Sequence, residues 1–298
     1  MSKIAVMGAG AVGCYYGARL AQAGHSVTMI GRRGHVAAMR ERGLILETAT
    51  GTGPVRVEAS EEAAGIASAD LVLVSVKSND VDATGRGIAP YLDVGAQVVS
   101  LQNGVDTAER LEQAIGRPVI PAAVYVAVEM TGPGHVRHHG RGELVIGSGA
   151  SSSAVAMLLR EAGIPTEVSD NVVGVLWAKL IVNCAYNALS AIPHLPYGRL
   201  VAVAGVPEVM DDVVAECLQV ADRAGVTLPG DVPAAVRGLA ASMPSQFSST
   251  AQDLARGKAS EIDHLNGYVV RKAAELGIAV PANRALWVMV KLMEARRG

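Results

Sequence analysis

Three side chains in the second half of the chain have the types and spacing to act on a small polar anion. Lys179, Asn183 and Asn187 lie at i, i+4 and i+8 in an otherwise apolar run, residues 175–187. On a helix that spacing puts all three on one face. A solvated face ordinarily carries more charge than one cation and two amides, whereas this set suits a carboxylate or a hydroxyl. Partial desolvation lowers the pKa of a lysine, which makes such a residue a usable proton donor near neutral pH. The bland alternative is a snorkelling lysine with two exposed amides; the functional reading is carried forward.

Near the N-terminus, Gly8-Ala9-Gly10-Ala11-Val12-Gly13 fits GxGxxG. The pattern alone is weak in a chain with 33 glycines, but here it has a strand-like run before it and a helical pattern after it. In that setting Gly8 permits the tight turn, Gly10 lets a pyrophosphate reach the backbone, and Gly13 lets helix and strand pack closely. The helix start offers unpaired N–H groups to phosphate. A site for NAD expects an acidic residue about 20 positions beyond the glycines. This chain has Gly31-Arg32-Arg33 there, and a guanidinium fork suits a 2′-phosphate, so NADPH is the expected cofactor, with Arg32 the first candidate and Arg33 the second. A solvated basic turn is the competing reading. Lys77 and Asn103 each follow a strand-like run, at the carboxyl ends where ligands of open parallel sheets bind.

A second polar cluster is Gln246-Phe247-Ser248-Ser249 with Glu261-Ile262-Asp263-His264-Leu265-Asn266-Gly267. Ser248 or Ser249 is expected to cap the helix that follows, and Glu261 to be a first-turn acid behind a Ser260 cap. His138 and His139 are placed in a surface loop, and no spacing of His, Cys and carboxylates suggests a metal site. No GxSxG elbow or Walker lysine is present.

The elements that must hold these residues read as an α/β chain. Strand-like runs at 3–8, 26–31, 71–76 and 97–101 alternate with helical patterns, which implies a parallel sheet covered on both faces. Residues 44–57 look like a hairpin, and 119–128 and 143–147 like less regular extensions of the sheet. After a short strand near 165–168 the pattern is helical, with helices expected at 172–189, 207–224, 232–241, 246–256, 260–276 and 283–296. The fold expected is an N-terminal Rossmann-type doubly wound sheet, residues 1–169, with a C-terminal all-helical domain, residues 170–298, packed directly around a cleft. A length of 298 residues agrees with two domains at roughly 150 residues each.

Composition narrows the function classes. With 26 basic against 28 acidic residues and no basic run, nucleic acid is not an expected partner. Only 3% of residues are aromatic, which disfavours stacking surfaces for single strands. The longest uncharged apolar candidate, 119–128, falls short of a bilayer span, so no membrane partner is expected. Cys14, Cys184 and Cys217 are scattered, as in a reduced cytoplasmic protein, and no signal peptide is expected from the N-terminal residues. A largely apolar helical domain can pair with itself, so a homodimer is an expectation.

Taken together the chain resembles the ketopantoate reductase (2-dehydropantoate 2-reductase) family over its whole length. The resemblance is carried by Gly8–Gly13, Val76-Lys77, Gln102-Asn103-Gly104, Trp177-Ala178-Lys179 with Asn183, and Glu261-Ile262-Asp263-x-x-Asn266-Gly267. It implies that Lys179 is the general acid and that NADPH delivers hydride to C2 of ketopantoate, giving pantoate for pantothenate and coenzyme A synthesis. It further implies that Asn183, Asn187 and Ser249 hold the substrate and that Asn103 lies where substrate and nicotinamide meet. Lys77, Glu261 and the backbone of Ala127 would contact the cofactor. Departures are Val124-Tyr125-Val126 in place of a Thr-Thr-His-like segment, and Tyr197 and Gln246 in place of asparagines. Those changes leave open a D-2-hydroxyacid dehydrogenase acting on other branched 2-keto acids. A non-catalytic NADPH-binding sensor is the reading from a different class, and the Lys179 stripe argues against it.

Overall fold

The computed structural model describes residues 1–296 and divides into two compact units, Met1–Val172 and the remainder from Val173. The first unit begins β1 (Lys3–Met7), α1 (Ala11–Gln22), β2 (Ser26–Ile30), α2 (Arg33–Arg42), then the hairpin β3 (Leu44–Thr48) and β4 (Gly51–Val55), and β5 (Glu58–Ser60). It continues with β6 (Leu71–Val74), α3 (Val81–Ile88), β7 (Gln97–Ser100), α4 (Thr107–Ile115), β8 (Ile120–Gly132), β9 (His135–Gly147), α5 (Ser152–Glu161) and β10 (Thr166–Ser169). The sheet order is β4-β3-β9-β8-β7-β6-β1-β2-β5, with β10 beside β9.

The central strands β7, β6, β1, β2 are parallel and apolar because both faces are covered. On one face Val6, Leu73 and Val99 pack with Tyr16 and Leu20 of α1 and Leu159 of α5. On the other, Ala5, Val72 and Val98 pack with Val81 and Ile88 of α3 and Leu111 of α4. This is the doubly wound arrangement read from the alternation of strands and helices.

The sheet is mixed: the hairpin read at 44–57 is present as β3 and β4, while the strands expected to extend the parallel sheet near 119–128 and 143–147 are antiparallel to each other. β8 and β9 run antiparallel over their length, as do β3 and β4. Only Pro133 and Gly134 separate β8 from β9, and so short a link can join only antiparallel neighbours. Both strands have 13 residues and extend well beyond the short runs expected from apolarity. The extra length is polar and held by side-chain pairs: Arg137 Nε donates to Glu47 at 2.7 Å, and His139 Nε2 meets Glu129 at 2.9 Å. His138 and His139 therefore lie in β9 and not in a loop. His138 stacks on Tyr15 of α1 at 4.5 Å, and its Nε2 sits 2.7 Å from the Arg141 carbonyl oxygen.

The second unit contains α6 (Val172–Ala191), α7 (Tyr197–Leu200), α8 (Val206–Arg223), α9 (Val232–Ser242), α10 (Ser249–Ala255), α11 (Asn266–Glu275) and α12 (Pro281–Ala295). Two expected helices are shorter than their sequence patterns. α10 starts after Ser248, whose hydroxyl accepts from the Ala251 N–H at 3.0 Å. The expected helix 260–276 is broken into a 3₁₀ turn, Ile262–His264, and α11, with Leu265 at φ −110° and ψ −108°. α12 is started from outside: Glu216 of α8 accepts from the N–H groups of Ala282 and Asn283 at 2.8 and 2.9 Å.

α6 also revises the reading of apolar length. At 20 residues and a mean hydropathy of 1.5 it is long and apolar enough to cross a bilayer, but 61% of its apolar window is buried inside the protein. Leu180, Ile181, Cys184, Ala185, Tyr186 and Ala188 are all core residues. The periodic polar positions within it, and not its mean hydropathy, carry its meaning.

Candidate active site

The glycine loop is built as a cradle. Gly8 has φ +115°, and a Cβ there would lie 2.7 Å from the Val76 nitrogen, so only glycine fits. Ser75 Oγ donates to the Gly8 carbonyl oxygen at 2.8 Å. A Cβ on Gly13 would collide with that same carbonyl and with Ser75 Oγ, so α1 lies closely against the strand ends. A Cβ on Gly10, by contrast, would meet nothing within 4 Å.

The N–H groups of Gly8 and Ala9 both donate to the Ile30 carbonyl oxygen at 3.0 Å, which fastens the loop to β2. Donors for an anion therefore fall to the start of α1, where Ala11, Val12 and Gly13 have no intrahelical acceptor by position. Open space at Gly10 beside a helix start fits the pyrophosphate of a dinucleotide. Ser75, which sequence reasoning did not single out, is the post that holds this turn; it follows β6 in no recognisable motif.

β2 ends against the same loop: a Cβ on Gly31 would be 2.5 Å from the Ala9 Cβ. Arg32 follows at once as the cap residue of α2, and Arg33 opens the helix; both side chains are exposed. At the ends of β6 and β7, Lys77 heads a 3₁₀ turn, Ser78–Asp80. The buried Ser78 hydroxyl donates to the Asn103 carbonyl oxygen at 2.7 Å, so the two loops are tied together. Gln102 is buried and accepts from Ser100 Oγ, which anchors the turn that presents Asn103.

Ala127 lies on β8 opposite Gly140, between two register shifts. Arg141, across from Val126, has φ +62° and is flanked by Gly140 and Gly142, which also have positive φ. The Arg141 guanidinium lies 4.7 Å from the centroid of Tyr125. Burial pushes the Tyr125 phenol up, and the Arg141 charge works against that. The structure thus brings together, within the first unit, the glycine loop with the start of α2, and the Lys77 loop with the Asn103 loop.

In the second unit Lys179, Asn183 and Asn187 all lie on α6. Lys179 and Asn183 are half-buried, and Asn187 is buried. The Asn187 side-chain amide donates to Ser249 Oγ at 3.3 Å, while Ser248 Oγ donates to the Asn187 backbone carbonyl at 3.1 Å. The two serines therefore divide the roles left open in the sequence: Ser248 caps α10, and Ser249 joins the polar face of α6. Tyr197 is buried against Tyr186 with ring centroids 4.6 Å apart, and burial raises its phenol. Gln246 donates to the Phe247 carbonyl oxygen at 2.8 Å and accepts the Tyr197 N–H through its backbone. The Gln246 side chain thus braces the turn before α10, and the Tyr197 backbone is tied to it.

Glu261 is buried in the segment that breaks the expected helix. The reason for the break is a set of bonds to α12 that the sequence reading missed. Asp263 accepts from Trp287 Nε1 at 2.7 Å and from Lys291 Nζ at 2.8 Å. Glu294 accepts from both the backbone N–H and the hydroxyl of Ser260, at 2.8 and 2.7 Å. The signal was present as the spacing of Asn283, Trp287, Lys291 and Glu294 along one face of a helix.

Known proteins match the chain along its length. Residues 4–151 match the family model described as ketopantoate reductase PanE/ApbA, and residues 171–294 match the model of its C-terminal part. A curated 2-dehydropantoate 2-reductase of Halobacterium salinarum is 34% identical over 300 residues, covering 98% of this chain and 99% of that protein. Its counterpart in Pyrococcus horikoshii is 32% identical over 301 residues, covering 99% of each. The crystal structure of a PanE/ApbA family ketopantoate reductase from Ralstonia eutropha JMP134 superposes with a TM-score of 0.97 at 56% identity, covering 99% of both chains. With both halves matched in order and relatives matched end to end, the chain belongs to the ketopantoate reductase family.

Proposed function

We propose that this protein is an NADPH-dependent 2-dehydropantoate 2-reductase, reducing the C2 ketone of ketopantoate to the hydroxyl of pantoate. The observation that carries the reading is the polar face of α6, on which Lys179, Asn183 and Asn187 share one side and Asn187 is joined to Ser249. Lys179 and Asn183 are half-buried beside the buried Asn187, so one cation and two amides stand together on the face where a carboxylate and a keto oxygen would be bound.

Bound NADPH supplies the hydride. Lys179 Nζ donates a proton to the C2 oxygen as charge develops there, so the carbonyl C=O becomes CH–OH and the lysine is left neutral, to regain its proton from water. A fixed cation at that oxygen also stabilises the developing charge electrostatically. Asn183, Asn187 and Ser249 bind and orient the substrate carboxylate and hydroxyl, and Asn103 aligns the keto group. On the cofactor side, the residues of Gly8–Gly13 hold the pyrophosphate, Arg32 the 2′-phosphate, and Lys77, Glu261 and the Ala127 backbone the remaining polar groups. In this reading residues 1–169 form the cofactor domain and 170–298 the substrate domain. Three buried free thiols fit a cytoplasmic location.

Val124-Tyr125-Val126 stands where many family members carry a Thr-Thr-His-like segment, so other 2-keto acids are tested as well. The experiment is a steady-state screen of the purified protein with NADPH and NADH against ketopantoate, 2-ketoisovalerate and phenylglyoxylate. The expected result is NADPH oxidation with the highest kcat/KM for ketopantoate. A higher kcat/KM for another keto acid would reassign the substrate, and no turnover with any would leave an NADPH-binding sensor.

A further inference from the structure

One face of α12 is a ladder of polar side chains whose rungs end on a single seven-residue segment. Asn283, Trp287, Lys291 and Glu294 follow helical spacing, and every rung reaches residues 260–266. Glu294 Oε1 holds Ser260 by its N–H and its hydroxyl, and Ser260 Oγ in turn accepts from the Ile262 N–H at 3.2 Å. Lys291 Nζ sits between Asp263 Oδ2 at 2.8 Å and Glu294 Oε2 at 3.0 Å. Trp287 Nε1 donates to the other Asp263 oxygen. Asn283 Oδ1 accepts from Asn266 Nδ2 at 3.0 Å, and Asn266 Nδ2 also donates to the Cys184 carbonyl of α6 at 3.2 Å.

Glu261 is the residue these bonds enclose. Ser260 precedes it and Asp263 follows by two, and both are bound to α12 by charge-assisted hydrogen bonds, which are the stronger class. Gly267 makes room for the arrangement, since a Cβ there would lie 2.9 Å from Trp287 Nε1. The segment gives up a continuous helix to be held this way, with Leu265 in a non-helical conformation. A carboxylate is an acceptor only, so it serves a ligand's hydroxyl or amide hydrogens just to the degree that its position is fixed.

We propose that Lys291 and Trp287 are positioning residues for cofactor binding, acting through Asp263 to set the backbone that presents Glu261. The proposal rests on the reading of Glu261 as a cofactor contact. Neither residue touches the dinucleotide in this account. Lys291 matters because it is the cation between two carboxylates; without it Asp263 and Glu294 repel, and the turn between them loses its geometry.

The test is a double-mutant cycle on NADPH KM with ketopantoate saturating, using Glu261→Gln, Lys291→Met and the pair. Lys291 is partly exposed, so its replacement leaves the core intact. Lys291→Met is expected to raise NADPH KM about tenfold, with kcat and the keto-acid KM within about twofold. Lys291→Arg should recover most of the loss, and Trp287→Phe, which keeps the ring and removes the donor, should act in the same direction. In the Glu261→Gln background, Lys291→Met should have no further effect on NADPH KM. A multiplicative loss in the double variant, or a fall in Tm with NADPH KM unchanged, overturns the positioning role and leaves the Glu261 reading standing. An unchanged NADPH KM in Glu261→Gln alone overturns that reading and the proposal together.

Discussion

The Asn187 side-chain amide of α6 donates to the Ser249 hydroxyl at the start of α10, at 3.3 Å, while the neighbouring Ser248 hydroxyl donates to the Asn187 carbonyl. Two adjacent serines thus grip one asparagine by side chain and by backbone. Ser249→Ala removes only the side-chain contact. It is expected to raise the KM for ketopantoate about tenfold, as loss of one hydrogen bond to a buried polar group does, with NADPH KM unchanged. Ser248→Ala should instead lower Tm through loss of the cap, by the equivalent of about 1 kcal/mol. Thermal melts and steady-state kinetics on the two variants separate the roles.

Lys179→Ala is expected to retain NADPH binding and to lose turnover by about 10²–10⁴-fold, the range for removing a general acid. Fluorescence titration with NADPH and single-turnover kinetics check the two halves of that statement. Near-normal turnover would remove Lys179 from the mechanism.

The glycine loop offers a contrast between two nearby alanine substitutions. Gly10→Ala places a methyl in open space, so Tm should stay the same while NADPH affinity falls at least about tenfold, because the methyl occupies the volume the phosphates need. Gly13→Ala drives a methyl into the Gly8 carbonyl and Ser75, so it should lower Tm even without cofactor. Equal effects of the two on apo-protein Tm would contradict this division.

Arg32→Ala should weaken NADPH by about tenfold or more and NADH little, because a charge-assisted bond to the 2′-phosphate exists only with the former. The ratio of the two KM values is the measurement. Equal losses would transfer the role to Arg33 or abolish it.

Acid stability has a local source at Asp263. Burial works to raise this carboxyl, but the bonds from Lys291 and Trp287 outweigh it and hold the group below its ordinary value. A carboxyl depressed in the folded state adds stability above its unfolded pKa of about 3.9, and that stability is lost as pH falls through the folded value. Asp263→Asn should therefore lower Tm at neutral pH and flatten its decline below about pH 4. A parallel decline in both proteins would contradict this linkage.

The sequence displays some parts of this architecture and hides others for physical reasons. Residues 3–8 and 71–76 read as buried strands because strands covered on both faces must be apolar throughout, and the helical spacing of Lys179, Asn183 and Asn187 survives in the fold as one face. The outer halves of β8 and β9 were hidden because pairs such as Arg137 with Glu47 stabilise them in place of apolar alternation. The break at Leu265 was hidden for a related reason. Its partners lie on α12, with Trp287 and Lys291 more than twenty residues away from Asp263, and a reading of 260–276 by local periodicity does not look that far along the chain. Ser75 was invisible because a hydroxyl that braces a glycine turn needs only the right place, not a motif.

α6 has one more consequence, for the order in which the chain is made. Several of its partners come later: Tyr197 and Val236 for Tyr186, Ser249 for Asn187, Asn266 for the Cys184 carbonyl, and Tyr268 for Trp177. At about 5–20 residues per second, roughly 4–15 s separate the synthesis of Ala191 from that of Tyr268. Until the end of that interval a helix apolar enough to enter a bilayer lacks part of its cover. The order of the chain thus puts this apolar helix out before several of the side chains that will cover it have been made.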